Sequence, residues 1–231
     1  MSKKKQASGS KTPKLSPSQT LSADTMPAEE LLLRRAQIEA EAMRRSREHG
    51  FDLLRQGARL LAQGRPGEAA AKLEQASALL PDDPDVAINL GGAFILQGRY
   101  NKAVAVLERA SQAAADNAMV WTNLAAAYLG NLDLSGPQQQ SKAIAAYERS
   151  LEIDPTAPNV HYNLGLIYND RQDWSRAKAY FALALLTDPN DADARTWLAR
   201  LADVAEAPSV PVEGQDGVEA PQDEVQGPEL S

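Results

Sequence analysis

The chain contains no cysteine. That excludes disulfides, thiolate metal sites, cysteine nucleophiles and lipid attachment to cysteine. Histidine is confined to His49 and His161, too few for an imidazole-rich metal centre, so no metal and no cofactor is expected. No stretch approaches the ~20 consecutive apolar residues of a spanning helix. The basic start MSKKKQASGSK is followed by no apolar stretch of the kind a secretory signal needs. A net charge of −7 argues against nucleic acid as partner, because phosphate contacts dominate that affinity. Aromatics make up 5% of residues, and β-branched runs that would suggest strands are few. These absences lead to the expectation of a soluble, intracellular, cytoplasmic protein with no membrane insertion.

What is abundant is alanine, in runs such as EAAAKLEQASALL and SQAAADNAM, the composition of helices. Residues 1–26 are rich in Ser, Lys, Thr and Pro and read as a disordered basic tail. Residues 27–49 begin PAEELLLRRAQIEAEAMRRSR, a charged helix with proline at its start, acids behind it and a narrow stripe through Leu32, Ala36, Ala40 and Met43. Residues 207–231 lack Lys and Arg, carry Glu213, Asp216, Glu219, Asp223, Glu224 and Glu229, and read as a disordered acidic tail.

From Gly50 the chain is periodic. Aligning small residues gives four units, 50–83, 84–117, 118–157 and 158–191, three of them 34 residues long. The third is longer by six, in GNLDLSGPQQQ, where Gly, Asn, Ser and Pro signal a loop over 130–140. Each unit reads as two helices. In the last, His161, Leu164, Gly165 and Tyr168 share one face, and Ala177, Phe181 and Ala184 share a face of the next. Pro189 stops that helix, since it lacks an amide hydrogen. Gly165 and Ala177 are small so that two helices joined by a tight turn can approach closely.

These residues resemble the tetratricopeptide repeat family, whose motif is a Trp, then Leu-Gly, then Tyr, with later Ala, Phe and Pro. WTNLAAAY (121–128), AIAAY (143–147) and Pro155 carry the resemblance in the third unit, with Ala125 in place of Gly. LGGAF (90–94), AVAVL (103–107) and Ala110 carry it in the second, with Ala115 in place of Pro. EAAAKL (68–73), Ala76 and Pro81 carry it in the first, whose opening helix matches less well. The resemblance covers 50–191. It implies an all-α, right-handed α-solenoid of tandem helix-turn-helix repeats occupying 50–206, with 192–206 as a C-terminal capping helix.

No catalytic constellation stands out. LGGAF lies within a helix and follows no strand, so it is not a phosphate loop. His161 falls where the repeat wants a bulky interhelical contact. Asp82, Asp83 and Asp85 cluster at a helix start, where carboxylates cap free amides. The expectation is therefore a non-enzymatic interaction module, an adaptor or scaffold in complex assembly.

The resemblance further implies that the first helix of each pair lines a concave groove. On that register Asn89, Asn123 and Asn163 form a row in it, each preceding Leu and a small residue. A carboxamide both donates and accepts, so such a row can pair with a peptide backbone of any sequence. Ile88, Ile95, Tyr162 and Leu166 would supply apolar contacts. The expected ligand is an apolar or helical segment of a protein partner. The family's clamp for the C-terminal carboxylate of chaperone tails needs Lys and Asn where this chain has Leu54 and Ala58, which argues against that ligand. The alternative is an assembly subunit that binds through its N-terminal helix, edges or convex face. For the helix at 27–49 three roles stay open: capping the first repeat by prolonging its helix, folding into the groove, or pairing with a partner's helix.

Overall fold

The computed structural model describes residues 27–202 and residue 204. The two tails and the last part of the expected capping segment lie outside the described residues. Among these, every regular element is helical. The described residues up to Val86 form one compact unit and those from Ala87 a second.

The first unit is built on α1 (Ala28–Ala62) and α2 (Pro66–Leu79). Helix α1 runs 35 residues without a break, because no proline or glycine pair interrupts the sequence around HGFDLL. Its second half packs on α2. Leu53, Leu73, Ala76, Leu80 and Val86 are buried there. Gly57 is the point of closest approach: a Cβ on it would sit 2.4 Å from Leu73 Cγ. The first half of α1 has no such companion, and residues 27–45 are exposed.

The second unit holds the rest of α3 (Pro84–Leu96), then α4 (Tyr100–Ala113), α5 (Ala118–Leu129), α6 (Pro137–Ile153), α7 (Val160–Asp170), α8 (Trp174–Thr187) and α9 (Ala192–Leu201). Each pair repeats one packing device. A small residue on the first helix faces a large one on the second: Gly91 against Leu107, and Gly165 against Phe181, with 2.6 Å and 2.7 Å left for an added Cβ. Ala125 and Tyr147 are buried in one cluster in the intervening pair. Pro137 marks the first turn of α6, and side-chain caps mark the starts of α5, α8 and α9. The Asn117 carboxamide accepts from the amides of Met119 and Val120, Asp173 from Arg176, and Asp191 from Ala194.

The turn inside the pair is equally stereotyped. Residues 64, 98 and 172 have φ of 69°, 68° and 60°. Each is followed by an amide that reaches back five residues: Arg65 to the Leu60 carbonyl, Arg99 to Phe94 and Asp173 to Tyr168, at 2.8–2.9 Å. This is a Schellman closure, which needs a left-handed residue. Glycine supplies it at 64 and 98, whereas position 172 is glutamine.

The third pair replaces that turn with the longer connection. Leu132–Leu134 form one 3-10 turn whose amide at Asp133 is capped by Asn131. Leu132 packs against the core and Leu134 is 84% exposed. The connection is tied down by buried Gln140. Its amide donates to the Asp170 carboxylate at 2.6 Å, and its carbonyl accepts from Arg171 Nε at 2.9 Å. Arg171 also donates to the Ser141 hydroxyl and the Pro137 carbonyl. The start of α6 is thereby joined to the end of α7.

At the C-terminal side α9 lies on α8, with Trp197 stacked on Phe181 at 5.8 Å and 3° between planes. Ala194 and Leu201 are buried there. This covers the apolar face that the last pair would otherwise expose.

Candidate functional site

The side chains expected to contact a ligand stand on the first helices of three successive pairs: Ile88, Asn89 and Ile95 on α3, Asn123 on α5, and Tyr162, Asn163 and Leu166 on α7. All seven are half-buried. Helical geometry explains the division of labour in each Asn-Leu-small triplet. Leu90, Leu124 and Leu164 are buried, as are Gly91, Ala125 and Gly165, and these make the packing within the pair. The asparagine, one position earlier, is turned off that core and keeps contact with solvent.

The three asparagines do not have equivalent surroundings. Asn123 makes no side-chain hydrogen bond among the described residues, while its neighbour Thr122 bonds the buried Ser150 hydroxyl at 2.8 Å. Asn163 faces the Tyr147 hydroxyl on α6. Burial pushes the Tyr147 phenol up, and the hydrogen bond from Asn163 partly opposes that rise. Sequence reasoning had no means of finding Tyr147 as a partner, since the two residues come from different repeats. Asn89 is also engaged in an interaction.

Tyr162 is partly committed to packing: its ring lies 5.7 Å from that of Phe181. Its other side borders an open depression of about 290 Å³ shared with Pro158, Asn159, His161 and Thr187. His161 is held by surroundings rather than by an acid or nucleophile. Its ring stands 6.4 Å from Tyr180 and its Nδ1 is 3.5 Å from the Thr187 hydroxyl. Burial lowers its pKa below the usual 6.5, which favours the neutral ring.

Among the described residues no group of three or more His, Asp or Glu is arranged to hold a metal ion. No described helix is long and apolar enough to cross a membrane.

Three family models match this architecture. One described as tetratricopeptide repeat spans residues 60–128, one described as TPR repeat spans 138–170, and a further tetratricopeptide repeat model spans 158–191. The chain belongs to the tetratricopeptide repeat (TPR) family. Solved structures share its fold. TTC0263 of Thermus thermophilus, described as a thermophilic TPR protein, is 22% identical with a TM-score of 0.58, over 66% of this chain and 80% of its own. PilF of Pseudomonas aeruginosa is 21% identical with a TM-score of 0.59, over 69% of each chain. MamA MSR-1 C2 is 26% identical with a TM-score of 0.52, over 67% of this chain and 84% of its own. No curated protein matches the sequence. The all-α, tandem-repeat fold expected from the sequence is thus the fold of this TPR protein. Its repeats make it a protein–protein interaction module in the general sense.

Proposed function

We propose that this TPR protein is a non-catalytic adaptor that holds a peptide or helix of a partner protein against the first helices of its second to fourth repeats. Asn89, Asn123 and Asn163 supply hydrogen bonds to the ligand backbone, and Ile88, Ile95, Tyr162 and Leu166 supply apolar contact. The carrying observation is that Asn recurs on α3, α5 and α7 half-exposed, while the Leu and small residue that follow it are buried. Packing accounts for the latter two and leaves the carboxamide at the surface. The depression beside Tyr162 gives a ligand side chain somewhere to sit. Aliphatic neighbours favour an apolar or helical segment over a charged one.

Asn123 is the cleanest probe, because its side chain has no hydrogen bond to lose among the described residues. Peptides selected from a displayed random library on the full chain should bind Asn123→Ala about fivefold more weakly, the loss of one hydrogen bond. Adding Tyr162→Ala should weaken them further. Peptides that bind the wild type and both variants equally would refute this reading.

A further inference from the structure

Half of the large apolar side chains that the described residues expose lie on one short segment. Leu31 is 37% exposed, and Leu32, Leu33, Ile38 and Met43 are each 61–68% exposed. They belong to the first 20 residues of α1, Ala28 to Arg47, which extend about 30 Å as helix with no other element of the unit alongside most of their length. The segment forms a helix on local grounds. It is rich in Ala, Leu, Arg and Glu, has Glu29 and Glu30 in its first turn, and carries ion pairs at i,i+4 between Arg35 and Glu39, Arg44 and Glu48, and Arg45 and Glu41. None of this accounts for its apolar side chains.

Two of them, Leu33 and Met43, share one ordered face, whereas Leu31 and Ile38 point to the opposite side of the helix. Glu29, Leu33, Ala36, Ala40, Met43 and Arg47 follow one another at spacings of four, three, four, three and four. At about 100° per residue they stay within an arc of about 80°. This is the spacing that the seam of a two-helix coiled coil uses, and it reads as its own complement in reverse about position 38. In an antiparallel pair, Glu29 meets Arg47 of the second helix, Leu33 meets Met43, and Ala36 meets Ala40. Each contact then occurs twice. Beside the seam, Glu30 falls opposite Arg44. The self-facing Glu39 pair on the other side is already neutralised by Arg35 within each helix, at 2.8 Å. A parallel pair in register would instead set Glu29 on Glu29 and Arg47 on Arg47. Small alanines at the centre let the backbones come close.

One end of the seam is also shaped. Met43 and Arg47 line a depression of about 450 Å³ with Leu79, Leu80, Pro81 and Pro84, and with two acids, Asp82 and Asp83. In the reversed pairing Leu33 and Glu29 of the second helix arrive there, an apolar residue at Met43 and an acid at Arg47. Gly50, where α2 begins to cover α1, falls opposite position 26, just beyond the described start of the second helix. The packed repeat therefore begins where the pairing stops.

We propose that this protein forms a homodimer through an antiparallel pairing of the Ala28–Arg47 segments of two copies. The occupant of the exposed face of α1 is the same face of another copy, in the register that places Glu29 on Arg47.

The test uses the full chain and sedimentation velocity over protein concentration. The wild type should pass from monomer to dimer. Glu29→Arg alone and Arg47→Glu alone should each raise the dissociation constant by about tenfold, since each puts like charges together twice. The double swap Glu29→Arg with Arg47→Glu restores both contacts and should restore dimerisation, an outcome a merely structural effect of either change would not give. Because the wild type has no cysteine, orientation can be read separately. Oxidising a mixture of Ala36→Cys and Ala40→Cys chains should join the two kinds to each other in preference to themselves. A wild type that stays monomeric at ~100 μM, a dimer indifferent to both charge reversals, or cross-linking of Ala36→Cys chains mainly to themselves would overturn the proposal. So would an arm that remains single in this protein and is covered only by a different protein.

Discussion

Replacing Gly165 with alanine sets two effects of known sign against each other. In an open helix interior the change stabilises by about 1 kcal/mol, because glycine is the poorer helix former. At Gly165 the new Cβ would lie 2.7 Å from Cδ1 and Cε1 of Phe181 and 3.0 Å from its Cζ. Relief needs a shift of about 0.7 Å to reach ordinary contact. The ring has no free direction for it: Phe181 is fully buried, stacked on Trp197 at 5.8 Å and flanked by Tyr162 at 5.7 Å. Overpacking of this kind costs about 1–3 kcal/mol, so Gly165→Ala should be destabilising by about 1 kcal/mol net. Gly92 is the internal control. It also lies inside a helix of the same unit, yet an added Cβ there meets nothing within 4 Å, so Gly92→Ala should be stabilising by about 1 kcal/mol. Urea unfolding of both variants, followed by circular dichroism, measures a gap of about 2 kcal/mol in opposite directions. If the two alanines stabilise equally, the account of why this position is glycine fails.

Two further outcomes follow from the turns. Gln172 holds φ of 60° in a closure that glycine makes at 64 and 98, so Gln172→Gly should stabilise by about 1 kcal/mol, read as a higher urea midpoint. An unchanged or lower midpoint would mean that the glutamine is not strained. Gln140→Ala removes the buried carboxamide that Asp170 and Arg171 share. It should cost about 1–3 kcal/mol and speed amide exchange across the 130–136 connection, and a change below about 0.5 kcal/mol would show the connection is not held this way.

Much of this fold could be read from the sequence because the repeat states the same instruction several times. Gly91 and Gly165 mark the close approach of helices, and Leu90, Leu124 and Leu164 mark the buried face. Periodicity reports such contacts, since both partners sit in the same short unit. It is blind to pairings between units. Gln140 with Arg171, and Asn163 with Tyr147, join residues from different repeats through side-chain pairs that do not recur at the matching positions of the other described repeats. The candidate site was legible to the same extent: the pattern singled out the asparagines, and only the coordinates distinguish Asn163, which leans on Tyr147, from Asn123, which does not. The fate of the helix near residue 30 was open for another reason. Its composition dictates a helix but not where that helix ends, and the structure runs it straight into the first repeat.

That continuity has a mechanical consequence. Since α1 has no hinge between Arg47 and Gly50, the direction in which Leu33 and Met43 point is set by how Leu53 and Gly57 pack on α2. The arm and the repeat share one phase, as teeth on one shaft do. One residue inserted at the junction would turn the whole arm by about 100° about its axis without altering a single side chain on it. Seven inserted residues would lengthen it by about 10 Å and turn it by only about 20°. The junction thus works as a clock as well as a link, and its length in residues is as much a part of the surface as the residues that form it.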